Sequence, residues 1–224
     1  MKMTLLATCC TLGLTSLTPA FAANVDISIT NLSRGIYFTP LLLVAHDDSA
    51  DLFEAGSAAS PELESMAEGG DISGLASLAG NVGAVVNENP AGGILNPGDT
   101  ATTTMDTGDL NLLTVTAMLL PTNDGFVGLD SWQIPDEPGT YTVYLNGYDA
   151  GTEANDELAP SMPNPPFITF GSGGSGVETT SSNATVHIHP GNLGDSDASG
   201  GASDLDNAVH RWLNPVAKMT ITVN

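Results

Sequence analysis

Cysteine is nearly missing from this chain of 224 residues: there are two, Cys9 and Cys10, and both lie in the first segment. Beyond residue 22 there is no thiol. That excludes disulfide staples, a cysteine nucleophile and thiolate metal sites in the rest of the protein. Basic residues are almost as scarce, four in all against 26 acidic ones, for a net charge of −22. Past Lys2 only Arg34, Arg211 and Lys218 remain. Neutralising phosphates takes Lys and Arg, so nucleic acid and anionic membrane surfaces are excluded as partners. Aromatics make up 5% of the chain, too few for a sugar-stacking cleft. No apolar run after the first segment is long enough to span a bilayer. There is neither a Gly-x-Ser-x-Gly nucleophile elbow nor a phosphate-binding Gly-Lys-Ser loop.

What is present begins with a leader. Lys2, an apolar run through Leu17, Pro19 and then Ala20-Phe21-Ala22 read as a signal peptide over residues 1–22. A lipid-attached cysteine would want a small residue where Thr8 stands. Residues 23–224 are long enough for one domain with a real core. We expect a single domain, secreted or periplasmic, and a monomer. The acid excess reads either as a solubilising shell or as a device for attracting cations.

The remaining chain alternates strand and turn signals. Val25, Ile27 and Ile29 share one face of a strand over residues 24–32. Ile36 to Val44 forms a second strand, interrupted by Pro40 and ended at His46-Asp47-Asp48. Residues 51–80 change character. Leu52, Phe53, Leu63, Met66 and Ala67 recur at helical spacing, and Ser60-Pro61-Glu62 is a helix start with cap, first-position proline and first-turn acid. Residues 83–98 read as loop. Strands are expected over 100–106, 110–120, 129–134, 140–148, 184–189 and 217–223. Residues 160–166 are a proline-rich connector and 171–176 a Gly/Ser loop. Short strands without βαβ alternation predict an all-β antiparallel sandwich with a short helical insertion near residues 51–80.

Three groups of residues carry possible chemistry. The stretch Met118 to Asp130 runs from an apolar strand through Pro121 into Thr122-Asn123-Asp124-Gly125, then into a second strand. Its turn residues hold Asp124 at a rigid tip. Asp149 ends a later strand in the same way. Loops at one end of a sandwich cluster, so the two carboxylates can meet and supply oxygens to calcium. Asp130, Glu153 and Asp106 are further candidates. The spacing is not that of an EF-hand. Second, His187 and His189 would share one strand face, with His46 or His210 available to complete a transition-metal site. That is the enzymatic alternative, a metal-dependent hydrolase, although alternation on a polar strand face explains the pair equally well. Third, Trp212 beside Arg211 reads as a core anchor. An inert acidic surface protein with no site is the remaining alternative.

The motif around Asp124, Pro121-x-x-Asp124 followed by Phe126, Val127 and Gly128, resembles the corresponding segment of spondin domains. Tyr148-Asp149-Ala150-Gly151-Thr152 resembles that family's second motif, in the right order and at the right separation. Thr39-Pro40 with His46, Gly56 with Ala59-Ser60, and Ala67-Glu68-Gly69 add smaller matches. The resemblance covers about Asn24 to Val223, and its ending resembles the bacterial stand-alone members. It implies a sandwich similar to C2 domains, without catalytic activity, binding Ca2+ at one end through Asp124 and Asp149. The family's third ligand is a Glu on the preceding strand. This chain has none there, and Asp106 is the nearest carboxylate. The resemblance also implies a binding or adhesion module whose partner is an extracellular protein or a matrix or surface ligand.

Overall fold

The computed structural model describes residues 24–163, 184–197 and 201–224. The leader over 1–22, the Gly/Ser loop over 171–176 and residues 164–166 of the proline-rich connector lie outside them. Ten strands, two α-helices and one turn of 3-10 helix (Ala159–Ser161) make up the described fold: β1 (Asn24–Asn31), β2 (Tyr37–Phe38), β3 (Leu42–His46), α1 (Pro61–Gly69), α2 (Ser73–Asn81), β4 (Val85–Glu88), β5 (Thr100–Asp106), β6 (Leu112–Leu120), β7 (Gly125–Gln133), β8 (Gly139–Asp149), β9 (His187–Ile188) and β10 (Ala217–Val223). The fold is all-β, as expected. Several elements differ from the sequence reading: the strand expected from Ile36 to Val44 is split into β2 and β3, and β7 begins at Gly125, ahead of the strand expected over 129–134. β4 occupies part of the expected loop over 83–98, and β9 is only two residues of the strand expected over 184–189.

The strands run antiparallel in the order β4-β3-β6-β7-β8-β10-β1-β5, with β2 on β6 and β9 on β8. β8 belongs to both halves of this ribbon. Its first part, Gly139 to Leu145, pairs with β10, and its last part, Asn146 to Asp149, pairs with β7. The ribbon turns over at that strand, so two layers face each other. At its ends β4 and β5 are tied by Asn87, which donates to the Thr103 hydroxyl at 2.8 Å. Val25, Ile27 and Ile29 of β1, Met219 and Ile221 of β10, and Val115, Ala117 and Leu119 of β6 fill the space between the layers.

A second core lies on the outer side of β3 and β6. Leu42, Val44, Met118, Leu120 and Phe126 meet Leu63, Met66, Ala67, Leu75 and Ala79 of the two helices. β6 is therefore buried on both faces from Leu113 to Leu120, which is why its sequence is apolar without alternation. α1 starts as its sequence indicates. Ser60 caps it, accepting the Leu63 N–H at 3.1 Å, with Pro61 at the first position. Gly70 ends it in the left-handed conformation.

Candidate metal centre

Asp124 and Asp149 come from different hairpins and end side by side. In the β6–β7 turn the Thr122 hydroxyl donates to the Leu119 carbonyl at 2.6 Å and accepts the Gly125 N–H at 3.0 Å. This turn places Asp124 immediately before β7. Gly125 pairs with Asp149 across the ladder, and the Ala150 N–H donates to the Asp124 carbonyl at 3.2 Å. Beneath the pair, Phe126 stacks on Tyr148 with ring centroids 5.5 Å apart, and Phe53 meets both rings edge-on. Gly128 makes room for this trio, since a Cβ there would stand 2.7 Å from Phe53 and 2.8 Å from Tyr148. The motif residues that flank each aspartate thus anchor its strand.

Asp124 is fully buried and Asp149 is 2% exposed. One Asp124 oxygen, Oδ2, accepts the N–H groups of Thr152 at 2.8 Å and Glu153 at 3.1 Å, and the Thr152 hydroxyl at 3.3 Å. The other, Oδ1, is buried with no hydrogen-bond partner. Asp149 accepts the Gly151 N–H at 2.8 Å and the Asn155 side-chain amide. Gly151 itself has φ +74°, and a Cβ there would lie 2.6 Å from the Thr185 nitrogen. Only glycine fits that combination.

Glu153 completes a nest of carboxylates. It is 4% exposed, and neither side-chain oxygen has a partner. Glu68, in the last turn of α1, approaches from the helical layer, its half-buried carboxyl flanked by Thr152 and Glu153. Burial pushes the Asp124 carboxyl up to about 6, the Asp149 charge adds to this, and the bonds from Glu153 and Thr152 oppose it. Burial pushes Glu153 up to about 9, helped by the charges of Glu68 and Asp124. Glu68 is raised as well, first by burial, with the Thr152 and Glu153 side chains opposing and the charges of Glu64 and Asp124 adding. A buried carboxylate without a full set of partners is costly, and the group answers by holding its proton, which is the direction of all three shifts.

Asp106 does not join this group. It pairs with Asn24, and the ladder carries that end through Val223 to Gly139, the far end of β8 from Asp149. β5 runs so that its carboxyl end points away from the loops that carry Asp124 and Asp149. The structure thus places Asp106, the expected third ligand, at the other end of the sheet from Asp124 and Asp149, while the loop that holds Glu153 donates its N–H to Asp124. Asp130 is exposed on β7. The histidines are dispersed. His46 sits at the opposite end of the ladder, paired with Leu112, its ring bonded to the Asp47 carbonyl and the Thr114 hydroxyl. His187 Nδ1 donates to the Thr185 carbonyl at 2.7 Å, and its Nε2 is 3.7 Å from Asp149 Oδ2. His189 is buried on Trp212, with Nδ1 accepting the Gly191 N–H. The Asp206 N–H donates to His210. No histidine cluster forms among the described residues.

Among the described residues no three His, Cys, Asp or Glu side chains are drawn together into a ready-made metal cluster. The donor set of the nest still fits a hard cation. Calcium takes about six to eight oxygens, tolerates irregular geometry, and draws on carbonyls and water beside carboxylates. The orphaned Asp124 Oδ1 supplies one hard donor, and Glu153 would supply another on giving up its proton to the ion.

The fold and this nest define a class: a two-layer antiparallel β domain with convergent acidic loops at one end and a helical layer beside them. The chain matches the Spondin_N family model over residues 30–169, more than half its length, and it belongs to that family. A search of curated proteins gave no match. Among the described residues no helix is long and apolar enough to cross a membrane.

Proposed function

We propose that this protein is an exported, non-catalytic spondin-type module that binds Ca2+ and uses the loops the ion orders to engage a protein or matrix ligand outside the cytoplasm. The observation that carries the reading is the fully buried, unpartnered Asp124 Oδ1 beside Asp149 and Glu153. Asp124, Asp149 and Glu153 would hold the ion, with backbone carbonyls and water filling the remaining positions. When bound, the ion supplies positive charge that offsets carboxylate repulsion and fixes the geometry of the loops. The chain's own residues do the rest. The Phe53–Phe126–Tyr148 trio keeps the two motif strands in register, while Thr152 and Glu153 orient Asp124 through their N–H groups.

A ligand that binds only the folded state stabilises it by mass action, by about 2.7 kcal/mol at a hundredfold excess over Kd. Calcium is therefore expected to raise the melting temperature of the wild-type chain. The double variant Asp124→Ala/Asp149→Ala should show no calcium-dependent shift in scanning calorimetry. A shift retained in that variant would refute the assignment of the site.

A further inference from the structure

We propose that the free edge of β5 is a docking strip that takes an extended segment of another protein by strand addition. This surface is separate from the acidic loops and does not rest on the calcium reading. β5 is the last strand of the order, three strands beyond β8. From Thr100 to Asp106 it pairs with β1 along one side, in unbroken register. Among the described residues, nothing bonds the backbone N–H and C=O groups of its other side. Edges of this length usually carry lysines, prolines or bulges that keep other chains off. β5 has none of these: it reads Thr-Ala-Thr-Thr-Thr-Met-Asp, β-prone and uncharged until its last residue. A groove of about 430 Å³ lies beside it, lined by Thr100, Ala101 and Thr102 and, across from them, by Pro90, Ala91 and Ile94. Ala101 faces the core while Thr100 and Thr102 face outward, so a hollow touching all three lies against the strand's edge. Among the described residues β1 adds nothing to its lining, which puts it on the unpaired side. Asn87 reaches across to this strand, but it bonds the Thr103 hydroxyl and leaves the backbone alone.

The chemistry of the strip selects its occupant. Asp99 and Asp106, both exposed, bracket the edge, one before its first residue and one at its last. The added strand therefore carries Lys or Arg at each end of an uncharged, β-prone middle, since opposite charges pair favourably across strands. A second copy of this chain cannot supply that. Its own edge strands, β4 and β5, hold acids and no base, and past Lys2 it has only Arg34, Arg211 and Lys218. Between the ends, the two faces of the added strand differ. One set of alternate residues meets the outward row Thr100, Thr102 and Thr104, where β-branched and hydroxyl side chains pair well. The other set faces Ala101 and the half-buried Ala91 and Ile94, and takes small apolar side chains. Main-chain hydrogen bonds give the affinity, while the charged ends and the alternation give the selectivity.

The probe is a short synthetic peptide, capped at both termini, that alternates Thr with Ala between two end lysines. Fluorescence anisotropy of a labelled copy and hydrogen exchange of the full chain read its binding. Binding should saturate and should slow exchange in residues 100–106. Two N-methylated versions, each blocking one set of alternate amides, separate strand addition from simple charge attraction. The set that faces β5 should cost about tenfold in affinity, as several hydrogen bonds are lost, and the set that faces solvent should cost nothing. Glu in place of both lysines should abolish binding. Asp106→Asn, which keeps an acceptor for the Gly108 N–H, should weaken the lysine peptide about threefold, the scale of an exposed ion pair. No binding, no protection at 100–106, or no difference between the two methylated peptides overturns the proposal. Protection of 100–106 that grows with protein concentration in the absence of peptide also overturns it, because a second copy then occupies the edge.

Discussion

The two oxygens of Asp124 meet different fates, and the site follows from that asymmetry. Oδ2 is held by two backbone N–H groups and a hydroxyl, which fix the carboxylate; Oδ1 is left without a partner in the same buried place. His189 shows the reverse pattern, an unpartnered donor. Because Nδ1 accepts the Gly191 N–H, the proton sits on Nε2, buried against Trp212. Burial holds its pKa down at about 4, Asp149 on β8 pulls it up, His187 on β9 pushes it down again, and Glu157 pulls upward. The unfolded chain returns His189 to about 6.5, so between those values it takes up a proton the folded protein refuses. The stability this residue contributes is full above pH 6.5 and falls as pH drops toward 4. Urea unfolding across that window should give a steeper acid limb for wild type than for His189→Asn; parallel limbs would refute the account. The legibility of the site varies residue by residue for similar reasons. That Asp124 and Asp149 stand side by side was readable because local turn chemistry fixes each at a strand end. Glu153 was readable as part of the same acidic loop. Glu68 appeared in the sequence only as part of a small motif, since its approach depends on how α1 packs across the sheet. Asp106 misled because sequence distance carries no information on which way β5 runs.

At the level of elements, α1 has the clearest sequence signals and a single residue that tests them. Ser60 satisfies one of the free N–H groups at the helix start. Ser60→Ala should cost about 1 kcal/mol of unfolding free energy, the usual value of a lost N-cap. Urea melts that show no loss would mean water replaces the cap at no cost. β6 was equally legible, because burial on both faces leaves a continuous apolar run. β4 was not. It is four residues long, half-exposed, and flanked by Gly83 and Pro90, so its one β-prone pair, Val85-Val86, is too short to show a strand period. It forms because β3 offers an open edge at Leu42 to Ala45. The expected second strand breaks at Pro40 into β2 and β3, as a residue without an N–H requires.

At the scale of the whole molecule, net charge and the specific site make separable contributions. With −22 charges and four basic residues in the entire chain, self-repulsion destabilises the compact state in dilute buffer. Added NaCl screens it, since the Debye length shrinks from about 30 Å at 0.01 M to about 10 Å at 0.1 M. Sodium chloride should therefore raise the melting temperature gradually and without saturation. Calcium should add a second, saturable rise at constant ionic strength, because it acts at one place and not on the field as a whole. For a chain of this size about 2.7 kcal/mol corresponds to roughly 5–10 °C at a hundredfold excess over Kd. Asp124→Asn removes one charge of many and should leave the salt response nearly intact while abolishing the saturable calcium response. If instead the variant loses both in proportion, or if magnesium at equal ionic strength reproduces the calcium curve in full, the stabilisation comes from diffuse screening of the acidic surface and the nest at Asp124 contributes no ion site of its own.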